Sequence, residues 1–128
     1  MLSKDASQTP SVIAVLEDLM FTVKINEAAK RASVPVRFVK SEIDALQQAS
    51  ASPLLIIVDL NCATVDALHL IRALKSDPAT NGVPLLAYVS HVQADLKLQA
   101  QQAGCNMVLA RSAFSQNLPQ ILQRYAAA

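Results

Sequence analysis

Glycine is scarce in this chain of 128 residues, which carries only Gly82 and Gly104. Neither belongs to a glycine cluster. There is thus no G-x-G-x-x-G fingerprint and no P-loop, and no strand is followed by a glycine-rich turn that would cradle a phosphate. Cysteine is equally sparse: Cys62 and Cys105 stand far apart, with neither a CxxC nor a Cys/His ligand spacing. A zinc site has no support in these spacings, and both thiols are expected to be ordinary buried side chains. An excess of one charge is missing too. The formal net charge is +1 and the lysines and arginines are scattered, which argues against a nucleic-acid partner or an anionic membrane surface. No run of about 18 apolar residues is available to span a bilayer. The mostly polar stretch from Met1 to Pro10 lacks the apolar core of a signal peptide. A cytoplasmic protein is expected, in which a reducing environment disfavours a disulfide. No repeat, low-complexity tract or linker divides the chain. The expected organisation is a flexible leader over 1–10, one domain over 11–125 and a short tail over 126–128.

What the chain does have is apolar content, at 52%, ample for the core of a single domain. Five apolar runs read as strands: Val12 to Leu16, Val36 to Val39, Leu54 to Val58, Pro84 to Val89 and Met107 to Ala110. The first, third and fourth are continuously apolar and rich in Val, Ile and Leu, as strands buried on both faces of a parallel sheet require. The second and fifth read as peripheral. Between them lie five helical segments. Met20 to Ala32 repeats Phe21, Ile25, Ala28, Ala29 and Ala32 at three- and four-residue spacing. A second helix begins at Ser41, with Asp44 completing a variant capping box and Ile43 and Leu46 as its apolar side. Val65, Leu68, Ile71 and Leu74 mark a third helix, ended by Asp77-Pro78. Gln93 to Ala103 forms a fourth, with Gly104 at the place of a left-handed cap. Phe114, Leu118, Ile121, Leu122 and Tyr125 indicate a fifth, in which Pro119 is tolerable if it lies in the first turn. Strands separated by whole helices cannot pair as hairpins. Each connection is a right-handed crossover, and the fold class is a doubly wound α/β domain with a five-stranded parallel sheet flanked by five helices.

Ligands of such sheets bind beyond the carboxyl ends of the strands. The residues there are Glu17 and Asp18 after the first strand, Asp59 and Asn61 after the third, Ser90 and His91 after the fourth, and Arg111 and Ser112 after the fifth. Three carboxylates at one rim repel each other unless a cation holds them, and a hard divalent ion such as Mg²⁺ suits oxygen ligands. The plainer alternative is that Glu17 and Asp18 cap the first helix while Asp59 faces solvent.

From Ser11 to Tyr125 this arrangement resembles the receiver domain of two-component response regulators. The resemblance rests on four features taken together. An acidic pair closes the first strand in Val15-Leu16-Glu17-Asp18, and the phosphoacceptor aspartate matches Asp59 in Leu55-Ile56-Ile57-Val58-Asp59-Leu60-Asn61. Val83-Pro84-Leu85-Leu86-Ala87 resembles the family's fourth strand, and Ala103-Gly104 the close of its fourth helix. The resemblance implies a flavodoxin-like sheet of strand order 2-1-3-4-5, with Asp59 as phosphoryl acceptor. It also implies Mg²⁺ held by Asp18, Asp59 and the backbone carbonyl of Asn61, with Glu17 acting through a water. A cation at that place has a physical reason, since carboxylate attack on a phosphoryl group brings two negative reactants together.

The departures lie in the readout. Val89 stands where the family keeps a Thr or Ser hydroxyl. Ser90, one residue on, faces the other side of a regular strand and would need a bulge to replace it. Arg111 stands at the place of the family's lysine, and its planar fork is no match for a compact ammonium. Ser112 replaces the usual proline, and Val108 stands where a switching Tyr or Phe is common. Acids retained and readout lost point to a pseudo-receiver. In that reading a stand-alone signalling domain works through protein contacts, and phosphorylation is weak or lost.

Without an output domain, the expected partner is a protein, either a histidine kinase or a downstream signalling protein, with a second copy of the chain as a further candidate. The resemblance places that contact on the fourth helix, fifth strand and fifth helix. The chain is read as a non-enzyme. The nearest alternative is a working Mg²⁺-dependent receiver in a phosphorelay. More remote are a small-molecule-binding enzyme on the same architecture and a phosphatase using Asp59, which would want an acid where Asn61 stands. His91 has no nucleophile or orienting partner in view and receives no role. His69 is placed for a weak surface contact with Asp66. Tyr88 is expected in the core, and Lys24, Lys30 and Arg31 on a solvated basic side of the first helix.

Overall fold

The computed structural model describes residues 10–90 and 93–127. Of the expected leader over 1–10 only Pro10 is among the described residues, and His91 lies outside them. Ten elements alternate along the chain: β1 (Val12–Val15), α1 (Leu19–Ala32), β2 (Val36–Val39), α2 (Glu42–Ala49), β3 (Leu55–Asp59), α3 (Ala67–Ser76), β4 (Leu85–Val89), α4 (Ala94–Gln102), β5 (Met107–Ala110) and α5 (Arg111–Ala127). All strand pairs are parallel and the order is β2-β1-β3-β4-β5. This is the doubly wound sheet expected from the alternation. Every residue of β1, β3 and β4 is buried, whereas β2 and β5 alternate with partly open positions. The continuous apolar runs thus occupy the centre of the sheet and the weaker ones its edges.

The sheet divides the interior into two cores. Alternate residues of the central strands face α2, α3 and α4, as Ile13, Val15, Ile56 and Val58 do, and pack with Leu70, Ile71 and Leu74. Their neighbours Val12, Ala14, Leu55 and Ile57 face α1 and α5 and pack with Phe21, Ile25, Phe114, Leu118 and Leu122. Side-chain alternation at a period of two residues supplies both layers from one strand.

Helix starts follow their caps. Ser41 Oγ accepts from Asp44 N at 3.1 Å, opening α2 at the expected place. Asp66 accepts from His69 N at 3.1 Å and opens α3. Gly104 takes φ +109°, and a Cβ there would meet Lys75 Cγ at 3.0 Å, so both backbone and space favour glycine.

Four expectations need correction. Pro119 does not lie in a first turn, because α5 starts directly at Arg111 with no loop after β5, which puts the proline mid-helix. The same helix continues through Ala127, and Ala126, expected in the tail, packs on the core. Ile43 is 70% exposed; α2 is short and turns Ala45 and Ala49 inward instead. The His69 ring pairs not with Asp66, whose carboxylate is used as a cap, but with Glu42 Oε2 at 2.7 Å across the α2–α3 gap.

Candidate functional site

Parallel β1 and β3 end side by side, with Val15 in register with Val58, so Asp18 and Asp59 share one rim. The first is a helix cap: Asp18 Oδ1 accepts from Met20 N at 2.9 Å and Phe21 N at 3.3 Å. Its other oxygen accepts from the guanidinium of Arg111, the first residue of α5. Both carboxylate oxygens are therefore engaged. Glu17 is exposed beside it. The capping alternative holds for Asp18, and the three carboxylates do not converge. Among the described residues no three His, Cys, Asp or Glu side chains stand close enough to hold a metal ion.

Asp59 does not face solvent; it is 8% exposed. Oδ1 accepts from Asn61 N at 2.9 Å. Among the described residues no hydrogen bond is made to Oδ2. Burial raises the Asp59 pKa above the usual carboxylate range, and the neighbouring Asp18 adds to the rise. The Asn61 N–H, the Arg111 charge and Tyr88 act the other way without cancelling it. The buried carboxyl group thus holds its proton more readily than a free carboxyl does.

Asn61 closes the site on one side. Its amide donates to Gln93 Oε1 at 2.6 Å, and its Oδ1 accepts from Ser90 N at 3.3 Å. These bonds tie the segment after β3 to the segment before α4. β4 runs regularly to Val89, which is buried in the core facing α3 and α4. The Ser90 hydroxyl makes no hydrogen bond to Asp59 among the described residues. Val108 is buried in the same core, so β5 presents no aromatic switch there.

Beneath the rim lies an aromatic stack. Tyr88 stacks on Phe114 with ring centroids 4.6 Å apart and on Phe21 at 5.0 Å. The Arg111 guanidinium carbon sits 4.9 Å from the Phe21 ring centroid. Tyr88 is in register with Asp59 and its hydroxyl is fully buried without a hydrogen-bond partner. Burial and the two neighbouring carboxylates push that phenol far up, so it stays protonated as a donor. Packing was the expected role of Tyr88 and is confirmed; the buried hydroxyl opposite Asp59 was missed, although Tyr88 precedes Val89 in the strand.

The residues present fit a hard cation in part. Asp59 and Asn61 offer carboxylate and carbonyl oxygens, the ligand types that Mg²⁺ prefers. The second Asp18 oxygen is taken by Arg111. Cys62 and Cys105 are buried free thiols, as expected. Lys24 reaches Ser115 Oγ at 3.0 Å on α5, and Lys30 and Arg31 lie in the last turn of α1, where they favour the helix dipole. No helix among the described residues is long and apolar enough to cross a membrane.

The sequence matches no protein-family model and no curated protein. Its fold matches many solved chains. A response regulator from Hahella chejuensis superposes with a TM-score of 0.79 at 21% identity, covering 91% of this chain and 94% of that one. The receiver domain of a sensor histidine kinase from Pseudomonas aeruginosa, with a magnesium ion in its active-site cleft, gives 0.77 at 21% identity, covering 93% and 98%. The phosphorylated cyanobacterial phytochrome response regulator RcpA gives 0.70 at 25% identity, covering 90% of each. With its five parallel strands in the order 2-1-3-4-5 and acids at the ends of β1 and β3, the chain has the fold of response-regulator receiver domains.

Proposed function

We propose that the chain is a receiver-like signalling domain that acts through protein contacts rather than catalysis, with Asp59 as its phosphoacceptor-equivalent residue and phosphorylation weak or lost. The observation that carries this reading is Val89: a buried valine ends β4 at the position where the receiver family it resembles keeps a hydroxyl. Arg111 supports it, because its charge is committed to Asp18 and to the face of Phe21. The partner is a histidine kinase or a downstream signalling protein, and a second copy of the chain is the other candidate. Nucleic acid is disfavoured by the scattered charge.

A second reading, a working Mg²⁺-dependent receiver, has one observation in its favour. Asp59 Oδ2 accepts no hydrogen bond among the described residues, and a carboxylate oxygen is a ligand type that suits Mg²⁺. A fold relative is solved with that ion and another is solved phosphorylated.

One experiment separates the two. The protein is incubated with Mg²⁺ and acetyl phosphate and weighed intact, with Asp59→Asn as control. In the reaction tested, an Asp59 oxygen forms a bond to phosphorus while the bond to acetate breaks and acetate leaves. The expected outcome is little or no adduct. An acid-labile phosphoryl adduct that vanishes in the control would establish the second reading.

A further inference from the structure

We infer that the Arg111 guanidinium is a resident cation of this site, and that a divalent ion binds only by displacing it from Asp18. The inference rests on reading Asp18, Asp59 and Asn61 as one cation-binding rim, and it adds the device that controls access to it.

Three observations carry it. The Asp18 oxygen not used in capping α1 is the one that Arg111 occupies. The same guanidinium lies over the Phe21 ring at 4.9 Å, so it is held by a carboxylate and an aromatic face at once. Arg111 heads α5 directly after β5, a position set by the backbone rather than by a flexible loop. A guanidinium is always protonated and presents a planar fork suited to a carboxylate. It therefore offsets the repulsion between Asp18 and Asp59 without a metal, and its charge opposes a second cation at the same place.

The quantitative consequence follows from competition. An apparent dissociation constant equals the intrinsic one divided by the fraction of molecules whose site is open. A pair closed in about nine molecules of ten weakens cation binding about tenfold. Removing the guanidinium should recover that factor. Because Arg111 also touches Phe21, which stacks on Tyr88, cation binding would free the α1 side of the aromatic stack. Occupancy of the rim is thereby linked to the junction of α1 and α5.

Isothermal titration of the full chain with MgCl₂, and separately with MnCl₂, at constant ionic strength and with no phosphodonor, tests the inference. Arg111→Gln removes the charge and keeps much of the side-chain length. It is expected to bind Mg²⁺ about tenfold more tightly than the wild type, and adding Asp18→Asn should abolish the gain. Arg124→Gln, in the last turn of the same helix, controls for net charge and should leave the affinity unchanged. Should Arg111→Gln fail to fold by circular dichroism, Arg111→Lys serves, with a smaller tightening expected from loss of the fork and ring contact. Equal affinity in wild type and Arg111 variants, absence of binding in all of them, or an equal gain in Arg124→Gln would overturn the inference. Since no phosphodonor is present, its failure is distinguishable from failure of the proposed signalling role, which the adduct experiment reads.

Discussion

Asp59 concentrates the chemistry of the molecule in one side chain. A carboxylate that is 8% exposed has lost most of its hydration, and one backbone N–H, a nearby guanidinium and Tyr88 repay only part of the loss. Its folded pKa therefore lies above its unfolded one. The stability it contributes is fully present below the unfolded pKa and is lost as pH rises through the folded pKa. At neutral pH the ionised group is a burden on the fold. Asp59→Asn, which keeps the acceptor for Asn61 N and removes the charge, is accordingly expected to be more stable than wild type at pH 7. The advantage should shrink as pH falls through the carboxylate range. Urea midpoints measured at pH 7 and pH 4 check this. A variant less stable than wild type at pH 7 would mean that Arg111 and Tyr88 more than offset the burial.

The elements show how local signals are overruled by their neighbours. Pro119 sits mid-helix in α5, where it has no N–H to give the Ser115 carbonyl and its ring crowds that group. The apolar anchors on either side, Phe114, Leu118 and Leu122, are all buried against the sheet and hold the helix through the defect. An interior proline costs about 3 kcal/mol, and about 1 kcal/mol returns through a stiffer unfolded chain. Pro119→Ala should thus gain about 2 kcal/mol in urea denaturation, and a loss would show that the proline ring makes an essential contact. The apolar spacing from Phe114 to Tyr125 announced this helix but not its start. Arg111 is no cap residue and Ser112, a cap type, already lies inside the helix, so only the abrupt end of β5 sets the boundary. The strands were legible because burial on both faces leaves unbroken apolar runs, and α2 and α3 because Ser41 and Asp77-Pro78 mark their limits. At the rim, the acids were legible from their place after the strands. The Arg111–Asp18 pair was not, since it joins residues 93 positions apart and depends on how α5 leaves the sheet. The Tyr88 hydroxyl was hidden for a similar reason: strand alternation gives a side chain's face but not what its far end meets.

At the scale of the whole molecule, one sheet serves two cores that share strands and little else. Ile56 and Ile57 are adjacent, fully buried and on opposite faces. The first packs in the core of α2, α3 and α4, the second in that of α1 and α5. Neighbours in sequence usually couple when mutated, because residues in contact share partners. Here the two side chains point apart and the intervening layer is a hydrogen-bonded backbone, in register with β1 and β4 on its two edges. Ile56→Val and Ile57→Val should each cost about 1 kcal/mol as a lost buried methylene. The double variant should cost their sum to within about 0.5 kcal/mol, in a single cooperative transition, since neither core is complete without the common sheet. Urea denaturation followed by circular dichroism and by tyrosine fluorescence reads both quantities. Fluorescence of Tyr88 and Tyr125, both packed on the α1 and α5 side, reports that core, and coincident curves would establish one folding unit. A coupling well beyond that margin would show that the central strands shift as a body when either face is loosened. The same rigidity decides whether occupancy of the rim is felt at α4 and β5: a stiff sheet confines a change at Arg111 to the α1–α5 side, whereas a yielding one carries it to the opposite helices.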